Sequence, residues 1–212
     1  MPICNCPAAT SIPDVPNSGC PQDFGQIQKL IFQRIFSTGT TKNSMTLANA
    51  KLKATWTAFF AAIDGTKMVI TPFVSAPTAD GGDAITYGGG NDTIGGATMV
   101  IGRNPVTMAF ALRQYVQALV KALKSLQCED ALGVYFVNGE GAIMGISDGT
   151  NLMPVPIVGG TFFVSDLKLN GLDTPDNNDM SFALLPNWSD DAAIVVGTDF
   201  NALTDFANAV NS

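Results

Sequence analysis

Short apolar segments separated by Gly, Pro, Asn and Asp occupy most of the chain, a pattern typical of antiparallel β-structure. The first of them, residues 27–36, is rich in β-branched and aromatic residues and predicts a strand. Further strands are predicted over residues 67–74, 98–102, 106–112, 132–137, 142–146, 155–158, 161–169, 180–185 and 193–196. Because residues 106–112 alternate apolar with small or polar side chains, we expect them to form a hairpin with 98–102. A helix that begins at Asn104 and Pro105 is the competing interpretation of this segment.

Helical spacing replaces the alternating pattern in three places. Over residues 47–63, with Thr46 or Asn49 as a possible cap, one face carries Leu52, Trp56, Phe59, Phe60 and Ile63. Over residues 114–127, a second face carries Val116, Leu119, Val120, Leu123 and Leu126. A short helix over 201–210 is predicted to end the chain. We therefore predict a mainly β, α+β protein, an antiparallel β-sandwich or barrel with two packed helices at about 47–63 and 114–127.

Two segments differ from the rest of the chain. Residues 1–23 contain five prolines and only two charges, which excludes a continuous helix or strand ladder and predicts an extended N-terminal arm. Its apolar residues favour an arm that lies across another surface. Residues 75–96 contain seven glycines and predict a long loop, too long and too polar for an ordinary hairpin turn. Residues 24–212 are then expected to form a single domain that includes this loop.

Composition lowers the expectation of enzymatic chemistry. The chain has no histidine, which removes Ser-His-Asp and Cys-His machinery and histidine-bound metals. Charged residues make up only 14% of the chain and the net charge is -7, which argues against a protein that binds phosphate backbones. No apolar run is long enough to predict a membrane anchor, and the absence of a visible leader sequence favours synthesis in the cytoplasm.

Three groups of residues are candidates for chemistry. The four cysteines, Cys4, Cys6, Cys20 and Cys128, fit no common zinc spacing, so a metal site, a disulfide and free thiols remain open. Residues 88–94 suggest a phosphate-binding or calcium-binding loop but lack the rest of either motif. The carboxylates occur in turn-like contexts: Glu129 with Asp130, Asp190 with Asp191, and Asp173, Asp176 and Asp179. We therefore predict no catalytic, cofactor or metal site, and a protein that is not an enzyme.

The charges are distributed unevenly along the chain. Residues 24–128 contain ten of the eleven basic residues and four acids, a net charge of +6, whereas residues 129–212 have a net charge of -11. Chance segregation in an ordinary fold is one interpretation. The other is that copies of the chain meet with the basic part of one against the acidic part of the next, a head-to-tail contact that forms rings or stacks.

The order of these segments along the chain resembles that of a tail tube protein, also called a major tail protein, of a long-tailed bacteriophage. The matching segments are the arm 1–23, the loop 75–96, the region 98–127, and the run from Phe162 through Gly171-Leu172-Asp173 to Trp188. Residues 11–16 and 186–190 also resemble structural proteins of phages that infect Bacteroidetes.

The resemblance implies a tail-tube type of β-sandwich or barrel and six-membered rings that stack through the arm 1–23 and the loop 75–96. It further implies contacts with other tail proteins, and a channel that passes DNA without specific binding. The protein would lie in the virion tail after assembly in the bacterial host. The alternatives are another phage head or connector protein, or a non-enzymatic surface binding module.

Overall fold

The computed structural model describes residues 24–113 and 115–206, and the predicted arm 1–23 lies outside the described residues. The chain divides into two compact units. The larger comprises Phe24–Gly81 and Pro105–Ser212, and the described part of the smaller is Gly82–Asn104.

Antiparallel β-structure dominates, so the mainly β fold class is confirmed. In chain order, the strands are β1 (Ile27–Arg34), β2 (Phe36–Thr38), β3 (Thr41–Lys42), β4 (Met45–Thr46), β5 (Met68–Ile70), β6 (Ser75–Gly81), β7 (Ala84–Gly88), β8 (Thr98–Arg103), β9 (Val106–Arg113), β10 (Leu132–Asn138), β11 (Ile143–Ser147), β12 (Asn151–Met153), β13 (Val155–Pro156), β14 (Phe163–Val164), β15 (Asn177–Leu184) and β16 (Ala192–Val195). The helices are α1 (Lys53–Ala61), α2 (Gln117–Ser125) and α3 (Ala202–Asp205). Short 3-10 turns occupy Asn49–Lys51, Ile94–Gly96 and Leu126–Cys128.

Two sheets of the larger unit pack face to face. The large sheet has the order β4-β12-β11-β10-β1-β5, with β13 also paired to β10 and β16 to β11. The second sheet has four strands in the order β14-β15-β9-β6. Its β15 is a clear half-buried strand, because buried and half-buried residues alternate along its whole length. The first hydrophobic core lies between the sheets and includes Leu30, Phe32, Val134, Phe136, Phe110, Leu112, Met180 and Phe182.

A second core covers the opposite face of the large sheet. Trp56 of α1 packs edge-on against Tyr135 of β10, with ring centroids 5.3 Å apart, and its indole nitrogen donates to the Ala50 carbonyl at 2.8 Å. Phe206, which follows α3, contacts the rings of Phe60 and Phe200. The larger unit therefore has three layers: the four-stranded sheet, the large sheet, and a layer that contains α1 and α3.

Lys29 of β1 fixes the last described segment to the large sheet. Its side chain is buried, and its ammonium donates to the carbonyls of Leu203 at 2.7 Å and Phe206 at 3.2 Å. The same ammonium lies 4.8 Å from the centroid of the Phe73 ring. Burial lowers the pKa of this lysine.

The stripe predicted for the second helix is largely confirmed. Leu119, Val120 and Leu123 are buried, the last two in the core between the sheets. The α-helix, however, begins at Gln117 rather than 114, and Val116 is exposed at its start. Among residues 24–113 and 115–206, no helix has both the length and the apolar character needed to cross a lipid bilayer.

The helix predicted over 47–63 is shorter than expected. It consists of a 3-10 turn and α1. The Thr46 hydroxyl accepts from the Asn49 backbone nitrogen at 3.2 Å at the 3-10 turn, as a cap of the predicted segment would, but neither Thr46 nor Asn49 caps α1. Instead, the Asp199 carboxylate accepts a hydrogen bond from the Lys53 backbone nitrogen at 2.8 Å. Leu52 precedes α1 and Ile63 follows it, and both are exposed. The predicted five-residue apolar face is therefore wrong at its two ends.

The region predicted as the loop 75–96 contains β6 and β7, which is a difference from the sequence interpretation. The predicted hairpin of 98–102 with 106–112 is also wrong. Both segments are strands, but β8 pairs with β7, and β9 pairs with β15 and β6. Alternation identifies a strand but does not identify its partner.

Other predicted elements are also shorter than expected. Of the strand predicted over 67–74 only Met68–Ile70 is regular, and of that predicted over 155–158 only Val155–Pro156. Of the strand predicted over 161–169, only β14 is regular, with an isolated bridge between Lys168 and Asn177. Of the final helix, α3 is described and residues 207–212 lie outside the described residues.

Candidate functional site

The described part of the smaller unit is a two-stranded ribbon, Ala84–Arg103, with an apolar face. Residues paired across the ribbon share a face, and Tyr87 pairs with Met99 while Ile85 pairs with Gly102. Ile85, Tyr87 and Met99 therefore lie on one face, and all three are exposed. The opposite face carries Ala84, Thr86, Val100 and Arg103. No residue of Gly82–Asn104 is buried, so the ribbon presents its large apolar side chains to the surroundings.

Hydrogen bonds order the turn at the end of the ribbon. The Thr93 hydroxyl donates to the Ala97 carbonyl and accepts from the Gly89 nitrogen at 3.3 Å, and the Gly96 nitrogen donates to the Thr93 carbonyl at 2.9 Å. Gly88 adopts a positive φ, and a Cβ there would lie 2.3 Å from the Thr93 methyl group. The Gly-rich residues 88–94 thus build a closed turn whose fully exposed apolar side chain is Ile94.

The four-stranded sheet has one buried face and one outer face, whose side chains are exposed or half-buried and are mostly small or polar. The outer face, called the exposed face below, consists of Ser75, Thr78, Asp80, Thr107, Ala109, Ala111, Arg113, Phe163, Asn177, Asp179, Ser181 and Ala183, and Phe163 at the β14 edge is its one large apolar side chain. Lys168 forms an ion pair with Asp179 over this face. Acidic and basic side chains are therefore balanced on this face.

A cleft of about 380 Å³ lies beside the end of α2. Its apolar lining includes Phe32, Val69, Leu126 and Leu132, with the exposed Ile63 at the side. Its charged lining residues are Arg34, Asp64, Lys67 and Glu129.

All but one of the charged groups in this cleft have partners. Arg34 and Glu129 form a bidentate ion pair with both N–O distances at 2.7 Å, and the hydrogen bond from Arg34 holds the pKa of Glu129 below its usual range. Asp64 accepts hydrogen bonds from the Thr66 hydroxyl and backbone nitrogen. The Lys67 ammonium has no hydrogen-bond or ion-pair partner among residues 24–113 and 115–206. Lys67 is thus the one charge at this cleft left available to a partner.

The carboxylates considered in the sequence serve mainly in local structure. Glu129 pairs with Arg34, Asp179 pairs with Lys168, and Asp176 accepts from the Asn170 nitrogen at 2.8 Å. Asp130, Asp173, Asp190 and Asp191 are exposed. Within the described ranges, no group of three or more His, Cys, Asp or Glu residues could hold a metal ion. Cys128 is a free, exposed thiol, and Cys4, Cys6 and Cys20 lie outside the described residues.

Comparison with known proteins does not add a family to this description. No protein-family model matches the chain, and no curated protein matches it.

The sequence alone does not identify two features of these surfaces, Lys67 at the cleft, which is unpartnered within the described residues, and the exposed pair Tyr87 and Met99 on the ribbon. The sequence pattern predicts only that Lys67 begins a strand, because the surroundings of its ammonium depend on long-range packing. The pattern assigns Tyr87 to a loop and Met99 to a strand and does not pair them, although each is a large apolar residue in a Gly-rich and Thr-rich stretch. That contrast is the local signal that could have identified them.

Proposed function

We propose that this chain is a structural virion protein that self-assembles into stacked rings and so forms the tube of a phage tail. The observation that carries the proposal is the exposed apolar face of the ribbon, Ile85, Tyr87 and Met99. A two-stranded ribbon is only marginally stable in water, and large apolar side chains gain free energy when a partner covers them. A second copy of the chain is the partner that the resemblance to tail tube proteins implies for residues 75–96.

The exposed face of the four-stranded sheet supports the role of a channel wall. Its side chains are mainly Ala, Ser, Thr and Asn, with Phe163 at the β14 edge, and its acids and bases are balanced. Nucleic-acid binding depends on clusters of Lys and Arg that neutralise phosphates, and a wall without excess positive charge lets a duplex pass. In a ring with this face inward, DNA would move along the channel without being held.

The edges of the same sheet support association between copies. Edge strands carry unpaired backbone groups that can pair with another chain. The edges here are the seven-residue β6 and the two-residue β14, whose Val164 carbonyl also accepts from the Gln127 side chain at 3.4 Å. Neighbouring copies can therefore extend this sheet around a ring, with the edge at β14 of one copy beside the edge at β6 of the next.

The proposal is tested by placing a charge on each face of the ribbon. Tyr87→Lys places an ammonium on the apolar face, and it should prevent rings from stacking because a lysine buried in an apolar contact must lose its hydration. Thr86→Lys is the matched control, since it adds the same charge on the adjacent residue but on the opposite face. Both proteins and the unmodified chain are compared by sedimentation velocity over a concentration series.

We expect the unmodified chain and Thr86→Lys to form large assemblies, and Tyr87→Lys to stop at single rings or smaller species. Closed rings of the unmodified chain that never stack would instead favour a connector protein of the virion. Equal assembly by both variants would contradict the role given to the apolar face.

A further inference from the structure

The loop between β14 and β15, residues 165–176, presents a leucine and a carboxylate side by side. The Thr174 nitrogen donates to the Gly171 carbonyl at 3.4 Å, which makes Leu172 and Asp173 the central residues of a turn. Leu172 is fully exposed. The Asp173 carboxylate has no hydrogen-bond or ion-pair partner in the part of the chain that the structure describes.

Asn170 links the two sides of this loop through three hydrogen bonds. Its backbone nitrogen donates to Asp176 at 2.8 Å, and its side-chain amide donates to the Pro175 carbonyl at 2.9 Å and to the Asn177 side chain at 2.8 Å. A turn that is already ordered loses little conformational entropy when it binds. The pair Leu172 and Asp173 is therefore presented as a preformed contact element.

The cleft beside Lys67 has the complementary features. Apolar side chains of Phe32, Val69, Leu126 and Leu132 line it, and Lys67 supplies a cation without a partner. A volume of about 380 Å³ is of the size that binding sites use to enclose a few side chains. The cleft thus fits an apolar side chain that is followed directly by a carboxylate.

The loop and the cleft lie toward opposite ends of α2. Leu126 and Glu129, just after α2, line the cleft. The loop begins where Gln127 donates to the Val164 carbonyl at 3.4 Å and continues to Asp166, which pairs with Lys124. Lys168 then bridges to Asn177, which pairs with Arg113, four residues before α2 begins. The loop therefore runs toward the start of the helix, and the turn Gly171–Thr174 lies beyond that bridge. The helical residues 117–128 span about 18 Å.

We propose that the cleft receives the turn Gly171–Thr174 of a second copy of this chain, with Leu172 on the apolar lining and Asp173 paired with Lys67. The inference rests on the proposed function, since it supplies one contact between neighbouring copies. Two different patches at opposite ends of one element give a head-to-tail contact, which repeats from copy to copy. This contact would also join the basic part of one copy to the acidic part of the next, because Lys67 belongs to the basic residues 24–128 and Asp173 to the acidic residues 129–212.

Charge reversal tests this contact. Lys67→Glu and Asp173→Lys each place like charges together, and each should raise the protein concentration needed for half-maximal assembly by about tenfold. The double variant, Lys67→Glu with Asp173→Lys, should return to within about twofold of the unmodified chain because the pair is restored with reversed signs. Sedimentation velocity measures the protein concentration for half-maximal assembly, and circular dichroism checks that each variant folds.

An equimolar mixture of the two single variants tests most directly whether the two charges meet between different copies. In alternating order, Glu from Lys67→Glu meets Lys from Asp173→Lys at one contact, and unmodified Lys67 meets unmodified Asp173 at the next. The mixture should therefore assemble as the unmodified chain does. Lys42→Glu, which makes the same charge change at an exposed lysine of β3 outside the cleft, is the matched control and should assemble normally.

The outcomes separate this contact from the proposed function. An unmodified chain that stays monomeric at every concentration overturns the proposed function and the contact with it. An unmodified chain that assembles, together with single variants that assemble equally well, overturns the contact alone. Single variants that are impaired and are restored neither by the double variant nor by mixing also overturn it.

Discussion

At the scale of single residues, Asp148 shows how a short side chain orders a turn. Its carboxylate accepts from the Asn151 nitrogen at 2.7 Å, from the Asn151 side-chain amide at 3.0 Å and from the Thr150 nitrogen at 2.9 Å. These hydrogen bonds, with that of the Asn151 backbone largest, lower the pKa of Asp148 to about 2. The turn connects β11 to β12.

The low pKa predicts how this turn responds to acid. An unfolded aspartate has a pKa of about 3.9, so the folded state binds the proton less tightly than the unfolded state does. The stabilisation by Asp148 is therefore complete above the unfolded pKa and is lost as the pH falls through about 2. A carboxyl titration by NMR should give a midpoint near 2 for Asp148. Asn151→Ala should raise that midpoint toward the ordinary value, and a midpoint near 4 in the unmodified chain would contradict the hydrogen-bond account.

At the scale of elements, α2 is the part of the fold that the sequence predicts best. Its apolar stripe repeats every three or four residues, and the buried side chains are those of that stripe. The strand predicted over 132–137 was also recognisable, since a continuous apolar run is typical of a strand buried on both faces, which β10 is. A strong local pattern, periodic in α2 and continuously apolar in β10, is sufficient in both cases.

A pair of substitutions on α2 tests its packing. Leu123 is 2% exposed in the core between the sheets, and Leu123→Ala should lower the free energy of unfolding by about 2 to 5 kcal/mol. Val116 belongs to the same predicted stripe but is 62% exposed, so Val116→Ala should change it by about 0.5 kcal/mol or less. Urea denaturation measures both, and equal effects would show that the helix does not pack as described.

The ribbon and the strand pairings could not be predicted in the same way. Ala84–Gly88 does alternate, with Ile85 and Tyr87 between Ala84, Thr86 and Gly88, but it is only five residues long and lies in a stretch of seven glycines that resembles a loop in sequence. The pairing of β9 with β15 cannot be predicted from local sequence, because β15 begins more than sixty residues after β9 ends. Lys67 and Leu172 were not singled out as a site for the same reason, because the cleft and the loop exist only after the sheets have packed.

At the scale of the whole molecule, the proposed association between copies would account for the exposed features of each unit. The ribbon offers an apolar face, and the larger unit offers a cleft, an ordered loop with the opposite charge, and a sheet with two edge strands. Apolar contacts would supply most of the free energy of association. The charges would favour the head-to-tail orientation over others, because like charges placed together are repulsive.

Electron microscopy of the purified, unmodified chain is the most direct test of the central claim, which is that this protein builds a tube. Samples are stained and imaged across a wide concentration range. We expect rings with an open centre at intermediate concentration and stacks of rings at high concentration, with the exposed face of the four-stranded sheet toward the channel. Particles of a single chain at every concentration would contradict the claim.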